Sequence, residues 1–274
     1  MPAEDASREP EQPRALIVTI YGLYGRESEG WLPVGGLVRM LSAVDVDEPA
    51  VRSAISRLKR RGLLAPERRH GVAGYALSAG AREILHEGDT LIFDPPVPRL
   101  DDGWLMAVFS VPESERANRH TLRSRLSGLG FGAAAAGVWI APAHRYALTA
   151  ATLERAGLSG YVDLFRGEYL AFGDIRRHAR DWWDLDGIGE RYRAFVEGYR
   201  PVRDGEAFPA WVRALTAWRR LPYRDPGLPA ELLPEDWPGD AARDLLTRLR
   251  AELSGPAREQ AIRMAGSLPA GSTG

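Results

Sequence analysis

The segment DEPAVRSAISRLKRRGLL, residues 47–64, limits the fold more than any other stretch of the chain. Its apolar residues Val51, Ile55 and Leu58 recur at helical spacing, so one side of a helix is expected to pack inward. Gly62 follows as a helix stop. The segment therefore predicts a short amphipathic helix whose outward side carries most of its charge.

The neighbouring segments set this helix in a recognisable order. ALIVTIYGLYG fits a buried helix or strand that the glycines Gly22 and Gly25 would end, and LPVGGLVRMLSAV has the spacing of a second helix. LLAPERRHGVAGYAL predicts a two-stranded hairpin, and AGAREILHEGDTLIF a further helix. The order is that of a winged helix-turn-helix, which places its third helix in the DNA major groove. We therefore predict a winged-helix DNA-binding domain over residues 14–93.

A proline-rich linker follows at residues 94–103, DPPVPRLDDG, because its prolines block both helix and sheet pairing. After it, apolar strands alternate with helical segments in the order βαββαβ, which predicts a ferredoxin-like central domain over residues 100–173. Residues 174–266 have a helical, tryptophan-rich character and predict a C-terminal helical domain. The predicted fold class is α+β.

Positive charge is concentrated in one place. The whole chain has a formal net charge of -1, so any affinity for nucleic acid has to come from a local patch. Seven cations and the single acid Glu67 lie between residues 52 and 69, which gives this segment a charge of +6. A charge run is commonly only a solvated face, but these cations fall on the third helix and the hairpin. Phosphates require such a concentration, so the pattern favours DNA binding.

The residue types suggest a division of labour within this patch. Residues near the start of the helix are expected to touch base edges, because arginine can bond guanine bidentately: Arg52, Ser53, Ser56 and Arg57. Residues further along the helix are expected to hold phosphates: Lys59, Arg60 and Arg61. The hairpin residues Arg68, Arg69 and His70 are expected to do the same. We expect two or three of the seven cations to pair with carboxylates inside the protein instead.

Three stretches resemble the PaaX family of bacterial transcriptional repressors: EPAVRSAISRLKRRGLL, then FSVPESER with LRSRLSGLGFG and GVWIAP, and finally YRDPGLPAELLPEDWPG at residues 223–239. The resemblance extends from about Arg14 to Met264. It implies a homodimer that binds an inverted-repeat operator in double-stranded DNA and controls phenylacetate or related catabolism. It also implies an acyl- or aryl-CoA effector, such as phenylacetyl-CoA, that releases the protein from DNA.

Cationic and aromatic residues after Asp174 are candidates for contact with such a thioester. The guanidinium group of arginine can donate two hydrogen bonds to a phosphate of coenzyme A, and an indole ring can stack on adenine or on a phenyl group. The candidates are Arg176, Arg177, Arg180, Trp182, Trp183, Arg191 and Tyr192. A tryptophan pair at this spacing is more commonly part of a core or a dimer seam, and both interpretations stay open.

Enzymatic alternatives are weaker. The central segment also resembles the small ferredoxin-like nuclease subunit of CRISPR adaptation, in which an aspartate ends the first strand and binds metal, but here the strand ends with Ser110. Asp181, Asp184 and Asp186 lack the further ligands of a calcium loop, and Asp186 is expected to cap a helix near Gly187. We therefore expect no catalytic residues, no metal site and no cofactor. A metal-dependent nuclease or enzyme with a winged-helix interaction module is the alternative.

Two features of composition bear on location. The chain has no cysteine, so it can form neither a disulfide nor a thiolate metal site, which suits a reducing compartment. No stretch reaches the ~20 apolar residues that span a bilayer. We expect a cytoplasmic protein without membrane contact.

Overall fold

The structure is a computed structural model that describes residues 12–170, 172–199 and 206–266. It is a mixed α+β protein with two antiparallel sheets and a helical C-terminal part, as predicted for the fold class. The helices are α1 (Pro13–Ile20), α2 (Val34–Ser42), α3 (Glu48–Arg60), α4 (Ala79–Phe93), α5 (Arg116–Gly128), α6 (Tyr146–Arg155), α7 (Ile175–Trp182), α8 (Leu185–Tyr199), α9 (Ala207–Trp218), α10 (Leu221–Arg224) and α11 (Gly239–Ala265). The strands are β1 (Trp31–Pro33), β2 (Leu64–Arg69), β3 (Val72–Leu77), β4 (Trp104–Phe109), β5 (Gly132–Ala135), β6 (Val138–Pro142) and β7 (Val162–Gly167).

The contacts divide the chain into two compact units. The first takes the described residues of Met1–Gly88, Ala194–Trp218 and Asp240–Gly274, and the second those of Asp89–Arg193 and Arg219–Gly239. The predicted C-terminal domain, 174–266, is thus shared between the two units. The boundaries 14–93, 100–173 and 174–266 stay a prediction about domains.

The first unit holds the three-stranded sheet, in the order β1-β3-β2. Its core is built by the apolar faces of α1, α2 and α3, and the C-terminal helix α9 packs on α1. Tyr24 stacks on Phe208 of α9 at 5.6 Å between ring centroids, and Thr216 Oγ1 donates a hydrogen bond of 2.8 Å to Thr19 Oγ1. Residues near the two ends of the chain therefore complete one core.

The second unit holds the four-stranded antiparallel sheet, in the order β5-β6-β4-β7, with α5 between β4 and β5 and α6 between β6 and β7. Alternation along β4 sends Leu105 and Ala107 to one face, where they pack with residues of α5 and α6. Trp104 faces the other way, toward a cluster with Trp183. Both faces of the sheet therefore bury apolar side chains.

The segment YRDPGLPAELLPEDWPG, residues 223–239, contributes apolar side chains to the core of the second unit. Leu228 and Leu232 are buried in the cluster with Trp104 and Trp183, and Leu233 and Trp237 pack against it. The first apolar segment is a helix and not a strand. Gly22 does not end it, because a π-helical turn, Tyr21–Gly25, continues from α1.

Candidate nucleic-acid interface

Both ends of helix α3 carry residues that favour a helix boundary. At the start, the Asp47 carboxylate accepts a hydrogen bond of 2.8 Å from the backbone N–H of Ala50. Gly62 follows the last turn with φ of +67°, a conformation that favours glycine. Val51 and Leu58 point into the core of the first unit. The apolar side of α3 therefore packs against the core of the first unit, and its other side faces solvent.

The outward side of α3 carries the predicted cations. Arg57, Arg60 and Arg61 are exposed, and none of them forms an ion pair within the described part of the chain. Arg52 is also exposed but pairs with Glu48 one turn earlier. A pair this open to solvent is worth about 0.3–0.5 kcal/mol, so Arg52 can exchange this partner at little cost. The predicted base-contacting serines, Ser53 and Ser56, are exposed on the same helix.

Strand alternation decides which hairpin residues share the side of α3. Lys59 of α3 lies over the ring of Tyr75, at 5.8 Å from its centroid. Tyr75 pairs with Pro66 across the hairpin, and Arg68 is two residues further along β2, so it points to the same face. Arg68 is exposed and donates a hydrogen bond of 2.7 Å to the carbonyl of Gly71. Arg68 therefore extends the positive surface of α3.

The hairpin turn consists of His70 and Gly71, with φ of 49° and 81°. Two successive positive φ values define a type I′ turn, which matches the twist of the flanking strands. His70 is exposed at this tip. The turn places His70 at the far end of the hairpin, between the paired residues Arg69 and Val72.

Arg69 does not lie where the sequence placed it. Its side chain is only 24% exposed and points to the sheet face opposite Tyr75. The guanidinium forms ion pairs of 2.6 Å with Glu67 and 3.1 Å with Glu29, and lies 5.6 Å from the ring centroid of Trp31. The sequence predicts that Arg69 contacts phosphate. In the structure its guanidinium is occupied by these ion pairs, so Arg69 stabilises the fold instead. Among the described residues, Arg52 and Arg69 are the two of the seven cations that pair with carboxylates.

A contact between Trp31 and Gly74 holds the hairpin, and no local sequence pattern predicts it. Trp31 is buried, and its indole N–H donates to the carbonyl of Glu67 at 3.2 Å. Gly74 lies against the ring so closely that a Cβ there would be within 3.0 Å of three indole atoms. Only a residue without a side chain fits at this position.

The predicted effector residues separate into two groups. The exposed group is Arg176, Arg177, Arg180 and Arg191, with Trp182 half-buried beside them in sequence. Trp182 stacks on His178 at 5.2 Å between centroids and 9° between planes. Both rings of this stack are half-buried, and Tyr169 lies edge-on to each of them.

The other two residues, Trp183 and Tyr192, are buried, and the packing accounts for them. The Trp183 indole N–H donates to the carbonyl of Gly130 at 2.9 Å, and the Tyr192 hydroxyl donates to Asp225 at 2.6 Å. Tyr192 also lies edge-on to Trp237. These two side chains stabilise the core of the second unit, so they no longer serve as candidates for direct ligand contact.

Sequence reasoning missed a buried cation, Arg145. It is 3% exposed, and its guanidinium donates to the carbonyls of Pro222, Asp225 and Pro226. Burial lowers the pKa of Arg145, and the nearby Asp225 carboxylate opposes that shift. Arg145 thereby holds the proline-rich segment that begins after α10.

The neighbouring His144 has a buried Nδ1 atom. Burial lowers the pKa of His144 to about 4, and the positive charge of Arg145 adds to this effect.

The remaining motifs have structural roles. Asp184 and not Asp186 caps α8, because its carboxylate accepts a hydrogen bond of 3.0 Å from the backbone N–H of Gly187.

Among the described residues, no group of three or more histidine, aspartate or glutamate side chains is placed to hold a metal ion. Between α5 and β5, Leu129 and Gly130 form a turn in which Gly130 has φ of +85°. Within the same described ranges, no helix combines the length and the apolar character needed to cross a membrane.

Comparison with known proteins gives a consistent result along the chain. Three family models match in order: "PaaX-like protein" at residues 12–81, "PaaX protein central Cas2-like domain" at 97–179 and "PaaX-like protein C-terminal domain" at 183–262. The transcriptional repressor PaaX of Escherichia coli (strain K12) is 28% identical over 95% of this chain and 88% of its own length.

A solved structure shares the fold. The uncharacterized protein Rv0674 from Mycobacterium tuberculosis superposes with a TM-score of 0.60 and 24% identity, over 90% of this chain and 98% of that one. The three family models and the E. coli relative place the chain in the class of bacterial transcriptional regulators. Within that class, it belongs to the PaaX family.

Proposed function

We propose that the chain is a transcriptional repressor that binds operator DNA through a winged helix-turn-helix. In this proposal α3 enters the major groove and the β2–β3 hairpin lies along the backbone. The observation that carries it is the set of exposed cations on one side of α3 that form no ion pair with any described residue, continued by Arg68 on the hairpin. The repressor activity of the E. coli relative supports the same conclusion.

The roles within this surface follow from position. Arg57, with Ser53 and Ser56, is proposed to contact base edges, because these exposed residues lie on the outward side of α3 and arginine can bond guanine bidentately. Arg60, Arg61 and Lys59 are proposed to contact phosphates. On the hairpin Arg68 and His70 take that role, and Arg69 is left out because it is paired with Glu67 and Glu29.

We also propose a homodimer on an inverted repeat, with a ferredoxin-like central domain. The order β5-β6-β4-β7 with one helix after β4 and one after β6 supports the ferredoxin-like assignment. Two recognition helices would then read half-sites about 34–36 Å apart, one helical turn of DNA. The alternative, a metal-dependent nuclease, would need a metal-binding carboxylate at the end of β4. The residue that follows Phe109 there is Ser110.

For the effector we propose an acyl- or aryl-CoA thioester that binds near Arg176, Arg177, Arg180, Trp182 and Arg191. Such a ligand can release DNA only if it binds one conformation of the protein better than the other. A thermal-shift screen of acyl- and aryl-CoA thioesters tests this, because a bound ligand raises the melting temperature by mass action. Arg177→Gln should reduce the shift, and the absence of any shift across the panel would refute the thioester proposal.

The DNA proposal is tested by selecting duplexes from a random pool with the parent chain, Arg57→Ala and Arg68→Ala. Arg57→Ala should relax base preference at one position of the selected site, at a cost of about 1–3 kcal/mol there. Arg68→Ala should keep the selected sequence but weaken all duplexes to a similar extent. Failure of the parent to enrich any sequence, or cleavage of the pool in the presence of Mg²⁺, would overturn the proposal.

A further inference from the structure

A polar cleft lies in the first unit, on the side of the sheet that faces away from Lys59. It has a volume of about 640 Å³ and is lined by Arg26, Glu29, Gly30, Glu67, Arg69, Arg82 and His86. Small-molecule sites commonly have volumes of about 300–1,000 Å³. The cleft is therefore large enough for a ligand of a few heavy atoms together with its water.

The arginines on the two walls of the cleft differ in their hydrogen-bond and ion-pair partners. On the hairpin wall, Arg69 is held between the carboxylates of Glu67 and Glu29. On the helix wall, Arg82 donates one hydrogen bond of 2.8 Å to the neutral carbonyl of Leu77, and no ion pair of Arg82 occurs in the described ranges. Arg82 therefore keeps N–H donors that no carboxylate uses.

The backbone keeps the Arg82 guanidinium at the cleft. Gly30 has φ of +81°, and a Cβ at this position would be 3.4 Å from Arg82 Nη1. His86 follows Arg82 by one turn of α4, so both side chains extend from the same face of the helix. The guanidinium of Arg82 and the imidazole of His86 can both donate hydrogen bonds to the oxygens of one anion.

The charge balance also favours an anion. Three arginines face two glutamates along the lining, which leaves one net positive charge before His86 is counted. The exposed carboxylate of Glu29 at the rim would repel a continuous row of phosphates, such as a DNA strand. The cleft is thus better suited to a small separate anion than to a duplex.

We propose that this cleft binds a small carboxylate or phosphate anion through Arg82 and His86 on α4. The site is distinct from the DNA surface, which lies on the other face of the sheet. Glu67 and Arg69 of β2 line the opposite wall, so the hairpin forms part of the cleft without supplying a free donor.

Isothermal titration with inorganic phosphate and with succinate, each at constant ionic strength and without DNA, tests the proposal. The parent should show saturable binding of at least one anion. Saturation by succinate assigns a carboxylate ligand, and saturation by phosphate assigns a phosphate group. Arg82→Gln should weaken binding by about tenfold or more, the effect of losing one charge-assisted hydrogen bond.

Two further variants serve as checks. His86→Ala should also weaken binding while it leaves the bond from Arg82 to Leu77 in place. Arg248→Gln, an exposed arginine of α11 outside the cleft, should bind as the parent does. Equal binding by Arg82→Gln and the parent, or no saturation with either anion, would overturn the proposal.

A duplex titration separates this site from the DNA surface. Arg82→Gln should keep the duplex affinity of the parent. If it loses duplex affinity, the cleft is part of the DNA contact and the separate anion site is refuted.

Discussion

Substitution of Gly74 by alanine is expected to destabilise the hairpin by forcing the buried ring of Trp31 to move. The new Cβ would lie closer than 3.0 Å to three indole atoms, a distance that real Cβ atoms essentially never show. Inserting a methyl group into a packed site costs about 1–3 kcal/mol. Displacement of the ring would also break the hydrogen bond from Trp31 to the carbonyl of Glu67, which is worth about 1 kcal/mol.

The expected total is a loss of about 2–4 kcal/mol in the free energy of opening the hairpin. Native-state hydrogen exchange, read on the amides of β2 and β3, measures this locally. Gly80→Ala is the matched control, because a Cβ at Gly80 meets nothing within 4 Å and alanine is favoured in a helix by about 0.5–1 kcal/mol. Protection of the hairpin in Gly74→Ala that equals that of the parent would refute this account of the Trp31 contact.

The remaining predictions concern the second unit and the cap of α3. Arg145→Met should lower the free energy of unfolding by about 2–4 kcal/mol, because the carbonyls of Pro222, Asp225 and Pro226 lose a buried charged donor. Urea unfolding measures the loss, and a loss under about 1 kcal/mol would contradict the geometry. The pKa of His144 is lowered to about 4 from an ordinary 6.5, so the unfolded chain binds the proton more readily than the folded chain. The free energy of unfolding should therefore fall as the pH drops from about 6.5 to 4. His144→Gln should flatten the pH dependence of the melting temperature in that window, and an unchanged slope would contradict it. Asp47→Ala should cost about 1 kcal/mol through the lost cap of α3, whereas Asp47→Asn should cost less, and equal losses by urea unfolding would argue against a capping role.

The DNA surface could be predicted from the sequence to the extent that local signals control it. The span of α3 follows from the spacing of Val51, Ile55 and Leu58, with a cap at one end and Gly62 at the other. His70 and Gly71 likewise mark the turn of the hairpin. These signals act within a few residues of the chain, so a single sequence contains them.

What the sequence could not provide depends on partners far away along the chain. Arg69 is bound by Glu29, forty residues earlier, and such an ion pair leaves no local pattern. Trp183 is buried against Gly130, and Arg145 is buried by the segment after α10. Each of these residues has a charge or a polar ring that suggests an exposed binding role until its long-range partners are known.

The most direct test of the central claim is the salt dependence of duplex binding by the parent and by the triple variant Arg57→Gln, Arg60→Gln, Arg68→Gln. If Arg60 and Arg68 contact phosphates and Arg57 contacts a base edge, the slope of log K against log salt concentration should become flatter by about 1.8 for each bound protomer, and the affinity should also fall. An unchanged slope and an unchanged affinity in the triple variant would contradict the claim that α3 and the hairpin form the DNA-binding surface.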